Sequence, residues 1–190
     1  MPEGLRRLHQ SGQSHFLTFS CYHRAPLLER MQMQGAFLLA LEQIRLRFSM
    51  RVYGYVVMPE HVHLLVSEPA EKMLSKAMQL LKTNVSTQAR KHGERGAGES
   101  HFWQARYFDR NVRNDDGFVA QLRYIHRNPV KRSLCAKPED WPWSSFRAWA
   151  QGEAGVVEVE SDMAATRREA HRLDISLIEL NQNAKTADRL

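Results

Sequence analysis

Val52-Tyr53-Gly54-Tyr55-Val56-Val57-Met58-Pro59-Glu60-His61-Val62-His63-Leu64-Leu65-Val66 is the stretch that decides the fold. β-Branched and aromatic residues dominate both of its ends, so each end reads as a strand. Pro59 has no amide proton and a fixed φ, so it cannot sit inside a ladder and divides the run in two. Two strands separated by so short a break are antiparallel neighbours joined by a tight turn.

Toward the N-terminus, His15-Phe16-Leu17-Thr18-Phe19-Ser20-Cys21-Tyr22 has the same composition and reads as another strand. Between the two, Phe37, Leu38, Leu41, Ile44 and Phe48 recur at helical spacing and predict a helix over Met31 to Phe48. Toward the C-terminus, Met73, Leu74, Ala77, Leu80 and Leu81 predict a second helix from Glu71 to about Lys91. The glycines between Gly93 and Gly98 predict a loop. Phe102-Trp103 and Arg106 to Val112 then predict a fourth strand with basic flanks. Asp115 or Asp116 can cap a third helix carrying Phe118, Leu122 and Ile125 on one face, and Pro129 is expected to end it.

The order strand, helix, strand, strand, helix, strand, helix predicts an α+β fold. It is the ferredoxin-like split βαβ sandwich, an antiparallel sheet with helices on one face, plus an added C-terminal helix. Beyond it, Trp141-Pro142-Trp143-Ser144-Ser145 is aromatic and turn-prone, Gly152 to Ser161 is acidic and irregular, and Met163 to Leu180 has room for one or two helices. The expected organisation is one domain over residues 1–150 and an extension over 151–190 to which no motif assigns a role. There is no internal repeat.

The composition narrows the function. A 190-residue chain with 43% hydrophobic and 25% charged residues is ordinary for a folded domain. A formal net charge of +6 favours an acidic partner, nucleic acid above all, although a merely basic protein carries the same number. The two cysteines, Cys21 and Cys135, are too far apart for a C-x-x-C pair, which argues against a disulfide scaffold or a cysteine-rich zinc site. A reducing cytoplasm is the expected setting. The N-terminal residues lack the apolar run of a signal peptide, and no stretch is apolar enough for a membrane span.

Residues two apart on a strand project to one face, so His61 and His63 can aim two imidazole nitrogens at one divalent cation. Val62, Leu64 and Val66 then face the other way and can pack under the helices. H-x-H pairs also occur in half-exposed sheets that bind nothing, so this motif alone does not decide. On the third helix, Tyr124 and Asn128 are one turn apart and share a face offset from the apolar one. A phenol aimed at a metal-bound phosphate is a nucleophile, and an amide oxygen can complete a histidine pair in a way that suits magnesium or manganese. A tyrosine with a wet hydroxyl can equally be a packing residue. Tyr107 is the second choice of nucleophile, and Tyr53 and Tyr55 lie on a strand next to the histidines. Arg106, Arg110, Arg113, Arg123, Arg127, Lys131 and Arg132, interleaved with Phe102, Trp103, Tyr107 and Phe108, can neutralise phosphates and stack bases, or form a solvated basic face.

Taken together, Tyr55 to Val66 and Tyr124-Ile125-His126-Arg127-Asn128-Pro129-Val130-Lys131-Arg132 resemble the REP-associated tyrosine transposases, relatives of the single-tyrosine transposases within the HUH endonuclease superfamily. His15 to Ser20 and Trp141 to Ser145 resemble the same family, so the likeness spans roughly residues 10 to 150. The resemblance implies a split βαβ core, magnesium or manganese on His61 and His63, Tyr124 as nucleophile and Asn128 as third ligand. It implies a single-stranded or hairpin DNA substrate, a 5′-phosphotyrosine intermediate, and action as a monomer or a homodimer. Arg106, Arg110, Arg113, Arg127, Lys131 and Arg132 are the candidate DNA contacts.

Overall fold

A computed structural model describes residues 13–69, 73–93 and 101–161. Four strands form one antiparallel sheet: β1 (Ser14–Ser20), β2 (Val52–Val57), β3 (His61–Ser67) and β4 (Phe108–Val112), in the spatial order β2-β3-β1-β4. The helices are α1 (Met31–Arg47), α2 (Leu74–Lys91), α3 (Asp115–Lys131) and the short α4 (Phe146–Gln151). This is the expected split βαβ sandwich.

The β2–β3 connection is the tight turn that Pro59 implied. The Met58 amide donates to the His61 carbonyl at 2.8 Å across Pro59-Glu60. Alternation then sorts the side chains. Leu17 and Phe19 of β1 join Val62, Leu64 and Val66 of β3 in the main core, packed against Phe37, Leu41 and Ile44 of α1 and Leu81 and Val85 of α2. Phe16, Leu65 and Val112 face the other way and form a smaller cluster with Ile125 of α3. The two faces are therefore covered differently: α1 and α2 bury one, and α3 shields part of the other.

α3 seats on a local irregularity. The β2–β3 register shifts between Val52 and Gly54, leaving Tyr53 as an extra residue, the signature of a bulge. A Cβ on Gly54 would lie 2.6 Å from Leu122 Cδ1, so the absence of a side chain lets α3 come close. The outer edge of β2 is covered by the Trp-Pro-Trp-Ser-Ser segment. Val57 donates its amide to the Trp143 carbonyl, and Ser145 donates to that of Tyr55. Trp141 Nε1 donates to the Val57 carbonyl at 3.1 Å, and Ser145 Oγ sits 2.8 Å from His126 Nε2, tying α3 to the same edge.

Several boundaries differ from expectation. The fourth strand is only Phe108–Val112; Trp103 makes an isolated bridge to Cys21 instead. The α3 cap is Asn114, not Asp115 or Asp116: its side chain accepts from the Gly117 amide at 2.9 Å. Pro129 does not end α3, which continues to Lys131. A proline two residues from a helix end removes one hydrogen bond but leaves the later amides free, and Arg132 and Ser133 donate back to Asn128 and Val130. Packing also continues past residue 150. Val157 and Val159 are buried in the main core, and Val159 bridges Val52. By contacts the chain divides into Met1–Val159 and Glu160–Leu190. The helices expected over Met163 to Leu180 and most of the Gly93 to Gly98 loop lie outside the described residues. No helix among the described residues is long and apolar enough to cross a membrane.

Candidate active site

On the α3 side of the sheet, a cleft of about 370 Å³ is lined by Phe16, Thr18, Arg24, His61, His63, Phe108, Tyr124, Asn128 and Arg132. Strand alternation aims both imidazoles into it, and their Nε2 atoms lie 3.0 Å apart. Both residues are buried, 5% and 4% exposed, so the pair does not simply share solvent.

The far side of each ring is held. His61 Nδ1 lies 3.0 Å from Glu60 Oε1, and Arg132 donates to the same oxygen at 2.9 Å. An ionised carboxylate only accepts, so His61 carries its proton on Nδ1 and turns a bare Nε2 lone pair to the cleft. His63 Nδ1 lies 2.7 Å from Thr18 Oγ1, its partner across the β1–β3 register. A hydroxyl can donate or accept. Thr18 therefore lets His63 put its proton either on Nε2, donated to His61, or on Nδ1, leaving two lone pairs for a cation. Neither choice strands a partner.

Burial also keeps both rings neutral. Burial is the main cause that pulls His61 below its usual value, with Arg24 and Arg132 opposing Glu60. Burial, then the His61 ring and the Arg24 guanidinium, brings His63 down to about 3. Neutral imidazole is the metal-binding form.

Asn128 supplies a third donor. It is 5% exposed, and its Oδ1 is buried without a hydrogen-bond partner among the described residues. An orphaned amide oxygen in a polar cleft calls for an explanation, and a cation supplies one. Two ligands bound cis at about 2.1 Å stand about 3 Å apart, which is the separation of the two histidine nitrogens. The donor set of two imidazoles and one amide oxygen thus fits a divalent cation. Among the described residues no cluster of three or more His, Cys, Asp or Glu side chains competes with it.

Tyr124 is the one tyrosine among the residues lining the cleft, and it is 40% exposed. Its ring meets that of His63 edge-on at 5.1 Å and that of Phe16 at 5.9 Å, and Lys131 Nζ lies 5.5 Å from its centre. The other candidates are elsewhere. Tyr107 packs against the main core and its hydroxyl is buried. Tyr55 is buried in that core too, where burial pushes its hydroxyl up to about 12. Tyr53 meets Phe118 edge-on.

The basic residues divide similarly. Arg132 lines the cleft and Lys131 borders Tyr124. Arg110 is opposite Phe16 in register, so it projects on the cleft side of β4. Arg127 is exposed on α3, while Arg106 and Arg113 are exposed beyond opposite ends of β4, outside the cleft lining.

Motif reading missed Thr18, Glu60 and Arg24. Thr18 and Glu60 had a signal, since one falls on the cleft face of β1 and the other adjoins His61. Arg24 had none. It sits in a short 3-10 turn, Tyr22–Arg24, after β1, where His23 and Arg24 take φ of 52° and 57°. Each such non-glycine residue costs about 1–2 kcal/mol.

The sheet aims two histidines, and α3 an asparagine and a tyrosine, at one cleft, and comparison with known proteins gives the class. Residues 10–128 match the family described as Transposase IS200 like, and the chain belongs to that family of tyrosine transposases, enzymes that act on DNA. Among its relatives are REP-associated tyrosine transposases. That of Escherichia coli (strain K12) is 26% identical over 142 residues, covering 74% of this chain and 81% of the relative. A Haemophilus influenzae protein provisionally given the same name is 28% identical over 121 residues, 60% of this chain and 69% of that one. The fold matches a solved REP-associated tyrosine transposase bound to a REP hairpin, with a TM-score of 0.65 and 24% identity over 85% of this chain and 93% of the other.

Proposed function

We propose that this chain is a metal-dependent single-stranded DNA endonuclease and strand transferase that recognises REP-type hairpin DNA, cleaves through a 5′-phosphotyrosine intermediate and rejoins strands. The convergence of Tyr124, two imidazole Nε2 atoms 3.0 Å apart and an orphaned amide oxygen in one cleft carries the reading. The relatives' names supply the hairpin.

In this reading His61, His63 and Asn128 hold magnesium or manganese. When bound, the cation neutralises charge on a non-bridging phosphate oxygen. Tyr124 Oη bonds to phosphorus as the P–O3′ bond breaks; the phenol's proton leaves to solvent and the 3′-oxygen takes one up. Attack on the phosphotyrosine by another 3′-hydroxyl reverses the step, so no nucleotide cofactor is consumed. Exposure of Tyr124 suits a nucleophile that reaches a bulky strand. In this reading Lys131, Arg110 and Arg127 neutralise the backbone beside the cleft, Arg132 adds its charge while paired with Glu60, and Arg106 and Arg113 contact the strand farther along its path. Exposed Phe108 offers a stacking surface for an unpaired base. The chain's own residues supply the whole donor set, which is compatible with action as a monomer or as a homodimer. The cytoplasm, where the chromosome lies, is the setting this reading requires.

One denaturing gel tests the proposal. A labelled hairpin oligonucleotide with a single-stranded flank, incubated with manganese, is expected to yield a protein-linked band with the wild type and none with Tyr124→Phe, which should still shift the hairpin on a native gel. Adduct formation by Tyr124→Phe would remove Tyr124 from its role. Free 5′-phosphate ends without an adduct would mean hydrolysis, and binding without cleavage would mean a hairpin-binding module.

A further inference from the structure

Arg24 stands outside the motifs that identify the site, yet it lines the same cleft as His61, His63, Tyr124 and Asn128. The other cleft arginine, Arg132, is committed to Glu60 at 2.9 Å. The Arg24 side chain, by contrast, makes no ion pair or hydrogen bond among the described residues. It is also held in place. The Cys21 amide donates to the Glu60 carbonyl and the Leu28 amide to that of Pro59, so the turn bearing Arg24 is fastened on both sides to the turn that leads into His61. Two consecutive left-handed residues, His23 and Arg24, then direct the chain there at a conformational cost, with the exposed His23 ring packed only edge-on against Tyr22 and Arg24 exposed. A free cation on a strained but anchored turn beside a nucleophile has the properties of a pre-positioned anion ligand.

We propose that Arg24 is a catalytic residue: its guanidinium binds a non-bridging oxygen of the attacked phosphodiester and takes up the charge that grows there as the Tyr124–phosphorus bond forms and the P–O3′ bond breaks. This rests on the strand-transfer reading above. It adds a metal-independent contact, on the β1 side of the cleft, to the phosphate. The planar fork suits two phosphate oxygens, which an ammonium group matches only in charge.

The test compares wild type, Arg24→Ala, Arg24→Lys and Arg24→Gly, the last relieving the left-handed strain and so guarding against a folding defect. Single-turnover adduct formation on the labelled hairpin with manganese is expected to fall roughly 100-fold in Arg24→Ala and Arg24→Gly. Arg24→Lys should recover part of the rate, with hairpin affinity within about threefold of wild type throughout. Equal rates in wild type and Arg24→Gly would overturn the proposal. A second readout needs no turnover. In a Tyr124→Phe background, the slope of log affinity against log salt for a short single-stranded oligonucleotide should shrink by about one phosphate contact when Arg24 is replaced. An unchanged slope overturns the Arg24 contact even if wild type proves to form no adduct, whereas a missing adduct with a changed slope removes only the strand-transfer reading.

Discussion

His15 and His63 lie on paired strands of one sheet, both buried, yet on opposite faces and in opposite electrostatic states. On the α1/α2 face, His15 Nδ1 is 2.7 Å from Asp109 and Nε2 is 3.0 Å from Glu68. Burial pulls its pKa down, but the two carboxylates outweigh it and hold the imidazole above its usual value. On the cleft face, burial acts in the same direction and nothing opposes it, so His63 falls to about 3 beside His61 and Arg24. The lesson is that burial sets the cost and the partner sets the state. A buried histidine whose two nitrogens both meet acids has its protonated form favoured by them. One whose Nε2 meets only another imidazole nitrogen is held neutral by burial.

The largest effect should come from exchanging these roles. His15→Ala strands two carboxylates beside the core, and breaking such a buried set costs about 3–5 kcal/mol. The thermal midpoint should fall on the order of 10 °C, with manganese still raising whatever midpoint remains. The paired change His61→Ala with His63→Ala should do the reverse: little loss of midpoint, no rise with manganese, and no covalent adduct. Ligand-linked stabilisation makes this measurable by melting alone. A manganese-dependent rise that survives in the double variant would place the cation elsewhere.

pH should sharpen the contrast, because the two faces carry opposite signs. The folded pKa of His15 is raised, so its contribution to stability is fully present below about 6.5 and is lost as pH rises through the folded value. His63, at about 3, and His126, at about 4, are lowered by burial, so their contributions are present above about 6.5 and drain away as pH falls toward those values. Urea unfolding across this range should show stability falling on both sides. His15→Gln is expected to flatten the alkaline side and leave the acid side in place. A His15→Gln protein that keeps the alkaline fall would show that another group causes it.

What was legible in the sequence follows the same division. Strands β1 to β3, helices α1 and α2, and the pairing of His61 with His63 follow from local periodicity, which a single sequence carries. The β2–β3 turn follows from Pro59. His15 was readable as a strand residue, but its partners Glu68 and Asp109 are 53 and 94 positions away, and only the sheet register brings them to it. Arg24 was invisible for a related reason: its approach depends on a left-handed turn that nothing in Tyr22-His23-Arg24 announces. Pro129 misled because a breaker's effect depends on how many turns remain beyond it. Pattern put Tyr124 first, for the face it shares with Asn128, and Tyr107 second, and the family resemblance chose Tyr124. The structure puts one in the cleft and the other against the opposite core.

The smallest expected effect tests how the two faces are closed. The α1/α2 face is sealed by interdigitated large side chains, whereas α3 approaches β2 over the bare backbone of Gly54. In Gly54→Ala the new Cβ would meet Leu122 Cδ1 at 2.6 Å and sit 3.6 Å from Ile125 Cδ1. Leu122 is partly buried and its methyl is the far end of a flexible side chain, so it can turn aside. The overpacking cost should therefore be near the low end, about 1 kcal/mol. The consequence for chemistry should be larger than that for stability, because Leu122 lies two residues from Tyr124 and a displacement of α3 moves the nucleophile relative to the histidines. Adduct formation is expected to slow roughly tenfold, since misplacement of a reacting group by a fraction of an ångström to one ångström costs one to two orders of magnitude. Manganese stabilisation should weaken as well, because Asn128 rides on the same helix. If Gly54→Ala cleaves at the wild-type rate with an unchanged manganese response, then the close seat of α3 serves packing alone, and the tyrosine is positioned from the other end of the helix, where Arg132 meets Glu60 and His126 meets Ser145.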